Sequence, residues 1–296
     1  GDVYKRQIKG KAYGKVLKSV YGLRQAAHDW YETQHEFITK FDKRIKQSSV
    51  EPCLYYIIED DLKVLISTHV DDYIICTDSD VWYKKFMKSF GTAFEITDLG
   101  TVDHVLQMSV EWGTDNVKLG QLRHIEKLRE EYDLMDFTPV YTPMEQNLTL
   151  TPSTNPMYAL PYRELLGALL WIARCTRPDI YYAVIYLSRF SGSYDQQHFK
   201  ALKRVLRYTI TTRDKKLIYE KTPNFNPSSP LDILFFTDSD WASDSIDRKS
   251  VSGSLGFLMG NLITWGSKRQ VTVALSSCEA EYYAIADGMK ELLHLQ

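Results

Sequence analysis

KVLISTHV (Lys63–Val70), DD (Asp71–Asp72) and YIICT (Tyr73–Thr77) form one continuous stretch, and its reading decides the fold. Both flanking runs are apolar, β-branched and of strand length, and the aspartates between them are turn residues. The stretch therefore predicts a hairpin with two carboxylates at its tip. Hard cations need anionic oxygens, and a tight turn holds two carboxylates close at little entropic cost, so Asp71 and Asp72 could bind Mg²⁺. An isolated Asp-Asp is better explained as a turn dipeptide, and its meaning depends on its surroundings.

Working outward, Trp82, Phe86 and Phe90 recur at helical spacing from Val81 to Phe90, with Gly91 as the predicted stop. A second helix is predicted from His124 to Leu134, with Ile125, Leu128 and Tyr132 on one face. The Pro-, Thr-, Asn- and Ser-rich stretch Thr138–Pro161 reads as a linker. Three helices are predicted after it: Pro161–Cys175, Asp179–Phe190, and a third that Asp195 caps, with Phe199, Leu202 and Leu206 inward. A second linker, TPNFNPSSP (Thr222–Pro230), precedes strands in DILFF, VSGSLGFL and LITW and a final helix. The predicted division is 1–137, 138–230 and 231–296, and the fold class is α/β (α+β).

Composition sets wide bounds. With 44% hydrophobic residues the chain can bury real cores, and 36 Lys+Arg against 38 Asp+Glu gives no global sign of a nucleic-acid partner. No stretch has the length of a membrane span and no signal peptide is recognisable, so an intracellular soluble protein is expected. Cys53, Cys76, Cys175 and Cys278 are far apart and read as small core residues rather than metal ligands. The chain begins without Met and ends within a predicted helix, so it reads as a segment of something longer; Gly1–Gln7 fit nothing downstream and read as a scar.

Two further constellations carry chemistry. Asp238 follows a predicted strand and Glu281 opens the final helix. Ser276 and Glu279 read as a capping box, which accounts for Glu279. Glu281 shares a helical face with Ile285, Gly288 and Leu292, which points it toward the sheet, where an unpaired carboxylate is costly without a metal or donor. Asp240 and Asp244 read as loop or capping residues. Lys200, Lys203, Arg204 and Arg207 recur at i, i+3, i+4 and i+7, a positive stripe that could track a phosphate backbone, though a solvated surface is the default explanation.

A series of motifs in order carries a family resemblance. KSVYGLRQAAHDWYE (Lys18–Glu32), EPCLY (Glu51–Tyr55) and HVDD (His69–Asp72) resemble the reverse transcriptase of Ty1/copia-type LTR retrotransposon Pol polyproteins. YRELLGALLWIARCTRPDI (Tyr162–Ile180), LSRF (Leu187–Phe190) and KALKRVLRY (Lys200–Tyr208) continue it. TDSDWASD, RKSVSGSLGFL, TWGSKRQ and VALSSCEAEYYAI resemble the same family's RNase H.

The resemblance implies a partial polymerase palm, thumb and connection helices, and a truncated RNase H-like α/β domain. It implies Mg²⁺, or Mn²⁺ in its place, on Asp71 and Asp72 and on Asp238 and Glu281. Tyr21, Gly22, Arg24 and Gln25 become candidates for nucleotide or template contact, and the basic stripe a candidate for phosphate contact. Implied partners are RNA template, DNA primer, RNA:DNA hybrid, dNTPs and the rest of Pol, with integrase and protease upstream. The implied locations are a cytoplasmic virus-like particle and the nucleus. The sequence departs from the family at His69, where an aromatic is usual, and no match to the family's earlier catalytic aspartate is found, since Asp2-Val3 lies too close to Tyr21. The chain alone is therefore expected to be inactive, and a degenerate, non-catalytic remnant is the alternative.

Overall fold

The structure is a computed structural model that describes residues 4–8, 11–15, 22–223, 230–244 and 246–295. The chain divides into two compact units, 1–102 and 103–296.

In the first unit, β1 (Tyr4–Ile8) pairs antiparallel with β2 (Lys11–Lys15). Tyr4 to Gln7, read from the sequence as part of a scar, lie in this hairpin. After α1 (Arg24–Phe41) comes a four-stranded antiparallel sheet in sequential order: β3 (Lys46–Gln47), β4 (Leu54–Glu59), β5 (Leu62–His69) and β6 (Asp72–Thr77). Along β5 burial alternates without a break, with Leu62, Val64, Ile66 and Thr68 inward and Lys63, Leu65, Ser67 and His69 outward. That period of two is the pleat covering one face of the sheet. The cover is aromatic. In α2 (Asp80–Ala93), Trp82, Phe86 and Phe90 stack along the buried face and meet Phe37 and Phe41 of α1. Ser79 caps α2 by accepting from the Trp82 amide, and the helix runs past Gly91 to Ala93.

The second unit begins with β7 (His104–Val105), β8 (Met108–Trp112), β9 (Asn116–Gly120) and α3 (Leu122–Glu131). Helices α4 (Tyr162–Cys175), α5 (Tyr181–Ser188) and α6 (Gln196–Thr211) follow, and β10 (Leu217–Glu220) returns to pair with β9. Leu165, Leu169, Ile172, Val184, Leu187, Leu202, Val205 and Leu206 form the core between these helices with Ile125 and Leu128 of α3. Asp195 caps α6 through the Gln197 and His198 amides, and His198 completes a reciprocal box. Arg177, 1% exposed, is held in a fork by Asp179 and donates to Thr212, joining the turn before α5 to the end of α6.

Strands β11 (Ile233–Asp240), β12 (Val251–Leu258) and β13 (Asn261–Arg269) make a three-stranded antiparallel sheet, and α7 (Ser277–Leu295) packs on β11 and β12. The cysteines are not core residues: Cys76 and Cys278 are exposed and the other two half-buried. Among the described residues, no helix is long and apolar enough to cross a membrane.

Candidate functional site

Asp71 and Asp72 sit where the sequence places them. His69 pairs with Asp72 across the β5–β6 ladder, leaving Val70 and Asp71 as a two-residue turn. Both carboxylates are exposed, and neither makes a hydrogen bond or ion pair with another described residue. Two adjacent, unpartnered carboxylates suit a hard divalent cation, which prefers anionic oxygen and keeps part of its water. Val70 has φ +58°, a left-handed conformation that a β-branched residue rarely adopts.

Helix α1 holds this tip. Trp30 Nε1 donates to the Val70 carbonyl at 2.5 Å, and the Tyr73 hydroxyl donates to Gln34 Oε1 at 2.5 Å. Burial, and then the Asp71 charge, push the Tyr73 phenol well above its ordinary range, which keeps it protonated as a donor. Gly22, Arg24 and Gln25 lie at the N-terminal end of α1, and Gly22 has φ +93°. Tyr21 lies outside the described residues.

The second pair stands on two elements, Asp238 on β11 and Glu281 on α7. A Cβ at Gly288 would meet Thr237 Cγ2 at 2.3 Å and the Phe235 ring at 3.2 Å, so Thr237 and Phe235 face α7. Gln270 confirms that side by donating to both Ser252 Oγ and the Ala280 carbonyl. Successive strand residues point to opposite faces, so Asp238 looks away from α7. It lies instead with Phe236, Asp240, Trp265, Tyr181 and Tyr182 around a 520 Å³ cavity on the α5 side of the sheet. The face that Asp238 occupies lends no support to the expectation that Asp238 and Glu281 converge.

The sheet-facing stripe of α7 is Ala280, Ala284 and Gly288, because small residues permit close approach. Glu281 flanks that stripe, half-buried, and Ile285 is exposed. Glu279 does cap, accepting from the Leu275 amide while Ser276 Oγ accepts from its own. Among the described residues, no three or more His, Cys, Asp or Glu side chains are grouped to hold a metal.

The basic stripe of α6 is partly committed within the chain. Arg204 donates to Thr142 Oγ1 and pairs with Glu145, and Arg207 donates to the Thr138 carbonyl. Lys203 lies over the Phe199 ring, and Lys200 is exposed. The arginines therefore staple the 138–145 segment to α6, and the continuous cationic face reduces to its lysines.

Asp244, read from the sequence as a loop or capping residue, does accept a loop amide, but its two ion pairs were not foreseen. Its side chain, 2% exposed, accepts from Arg189 after α5, from Arg269 of β13 and from the Ile246 amide. Burial alone would raise its pKa, but the Ile246 amide, Arg269 and Arg189 outweigh that and hold the carboxylate below its ordinary range. No sequence signal could have paired an aspartate with arginines 55 and 25 residues away.

Residues 5–146 match the family described as "Reverse transcriptase (RNA-dependent DNA polymerase)". The chain is 32% identical over 298 residues to the "Retrovirus-related Pol polyprotein from transposon TNT 1-94" of Nicotiana tabacum, covering 95% of this chain and 21% of that protein. It is 30% identical over 282 residues to the "Retrovirus-related Pol polyprotein from transposon RE2" of Arabidopsis thaliana, covering 94% and 19%. An uncharacterized mitochondrial protein of Arabidopsis thaliana is 33% identical over 226 residues, covering 76% of this chain and 91% of that protein. The chain thus spans about a fifth of the length of the Pol polyproteins it matches. No solved structure matches.

Proposed function

Because the chain belongs to the reverse transcriptase family of Ty1/copia-type retrotransposon Pol polyproteins, we propose that its first part contributes to RNA-dependent DNA synthesis. In this reading 1–137 is part of a polymerase palm, 138–230 a connection region and 231–296 part of an RNase H-like domain. The observation that carries the polymerase reading is the exposed, unpartnered Asp71–Asp72 tip, held by the helix that starts with Arg24 and Gln25.

Asp71 and Asp72 hold Mg²⁺, or Mn²⁺ in its place. A bound ion supplies charge stabilisation at the transferred phosphoryl group and lowers the pKa of the primer 3′-hydroxyl. The chain's own work is to fix two carboxylates at a hairpin tip held by Trp30, with Arg24 and Gln25 as the candidates for contact with template or dNTP. The partners are RNA template, DNA primer and the rest of Pol, within the particle or nucleus where such elements replicate. The RNase H reading of 231–296 rests on its motif series, and the opposed faces of Asp238 and Glu281 give no reason to place one cation between them.

Mn²⁺ titration followed by the paramagnetic signal of the free ion tests the polymerase site. Asp71→Asn and Asp72→Asn are each expected to weaken binding about tenfold, the scale of a lost charge-assisted contact, while Glu281→Gln leaves it unchanged. Affinity indifferent to both aspartate changes would remove the assignment.

A further inference from the structure

The turn that carries the aspartates is in a conformation its own residues do not favour. Val70 occupies the first central position of the hairpin loop with φ +58°. Glycine is the usual occupant of such a position, since a Cβ there crowds the backbone. Val70 is 59% exposed, so side-chain packing does not hold it there.

Its carbonyl, however, is gripped from 40 residues away by the Trp30 indole N–H. Trp30 is fixed in turn by Phe94, whose ring meets it edge-on at 5.3 Å. One helical turn further along α1, Gln34, 3% exposed, accepts from the Tyr73 hydroxyl, and the Tyr73 ring packs on Phe90 at 4.9 Å. Trp30 and Gln34 stand at i and i+4, on one face of α1. They seize Val70 and Tyr73, the two residues that bracket Asp71 and Asp72. Among the described residues the carboxylates have no partner, whereas the Val70 carbonyl and the Tyr73 side chain are both held.

We propose that Trp30 is a positioning residue for the carboxylate pair: by holding the Val70 carbonyl, its indole N–H keeps the turn left-handed and aims Asp71 and Asp72 at one divalent cation. The inference rests on the metal-binding reading of the two aspartates. It also gives α1 a second role, since the helix that begins with Arg24 and Gln25 sets the metal turn about 9 Å further along its axis, at 1.5 Å per residue.

Trp30→Phe keeps a ring against Phe94 and deletes only the donor. In the full chain without metal, hydrogen–deuterium exchange at the amides of residues 70–73 is expected to quicken about tenfold, the scale of one lost hydrogen bond, with β4 unchanged. Mn²⁺ affinity is expected to fall by a similar factor. Val70→Gly placed in the Trp30→Phe background should restore that affinity, because glycine adopts positive φ without help.

Unchanged exchange in Trp30→Phe overturns the proposal. So does an Mn²⁺ loss that Val70→Gly fails to restore, which would mean that Trp30 acts through packing alone. A wild-type chain lacking Asp71-dependent Mn²⁺ affinity would overturn the metal reading and, with it, the aiming role. The metal-free exchange arm would then still decide whether Trp30 latches the turn.

Discussion

Asp71 and Asp72 are chain neighbours at one hairpin tip, the first in the two-residue turn and the second opening β6, whereas Asp238 and Glu281 belong to a strand and a helix that meet through Thr237, Phe235 and Gly288. In the first case covalent geometry delivers the pair, and the rest of the unit needs only to hold the turn. In the second, the face of the strand and the azimuth of the helix must both be right, and in this structure the strand turns its acid the other way. What β11 presents toward α5 is a cavity with two aspartates and an aromatic rim. The lesson concerns locality: a site encoded by adjacent residues survives errors in packing that scatter a site assembled from distant elements.

The comparison is most exposed at Asp244, which ties the loop after β11 to Arg189 and Arg269. Asp244→Ala removes the carboxylate that Arg189 and Arg269 share, Arg269 keeping Asp247, and losing these charge-assisted hydrogen bonds should cost about 2.5 kcal/mol. Urea unfolding followed by Trp fluorescence measures it. A change near zero would mean that the helical layer and the β11 sheet are held by packing alone. Next in size is Gly288→Ala, whose Cβ would lie 2.3 Å from Thr237 Cγ2. Forcing β11 and α7 apart should cost about 2 kcal/mol, in the range of overpacked cores. An unperturbed melting temperature would show that α7 does not sit on Thr237, and would reopen the face assigned to Asp238.

How much was legible follows the same division. Strand β5 announces its buried face by alternation, and Trp82, Phe86 and Phe90 announce that of α2, because each pattern is confined to one element. In β11 the run Ile233–Phe236 is apolar on both faces, so alternation could not say which one α7 covers. In α7 the larger apolar residues suggested a stripe through Ile285, but contact runs through Ala280, Ala284 and Gly288, where small volume decides. The pairing of β9 with β10 joins residues 116–120 to 217–220, and no local pattern specifies that register. The α6 arginines look alike in sequence to the neighbouring lysines, and only the fold shows that Arg204 and Arg207 are engaged by residues 138–145.

Locality rather than unit is the variable, and Asp195 separates the two. It lies in the second unit, yet its helix cap is made within one turn, by the amides of Gln197 and His198 and the His198 side chain, with the Ser153 side chain as one further, distant donor. The His198 hydrogen bond first, then the Ser153 hydrogen bond and those amides, hold its pKa down to about 2 against an ordinary 3.8. A depressed carboxylate pKa contributes stability that is fully present above about pH 4 and is lost as pH falls through about 2. The cap is worth about 1 kcal/mol. Wild type should therefore lose that increment between pH 4 and pH 2, and Asp195→Asn, which retains an amide-accepting oxygen, should flatten the loss. Equal acid sensitivity in both chains would assign it to other carboxylates.

The smallest effect belongs to the two residues proposed to hold the metal. Asp71 and Asp72 are exposed and have no partner among the described residues, so removing either charge deletes no contact. Asp71→Asn and Asp72→Asn should each leave the unfolding free energy within about 0.5 kcal/mol of wild type, as surface changes do. The direction is informative too. Two carboxylates side by side repel when both are ionised, so neutralising one should shift stability upward if it shifts at all, and added Mn²⁺ should reverse the order by binding the wild-type fold. A loss above about 1 kcal/mol without metal would reveal a structural partner for one of these carboxylates. The turn would then be a packing element like the Asp244 bridge, and the contrast between the two carboxylate pairs would not hold.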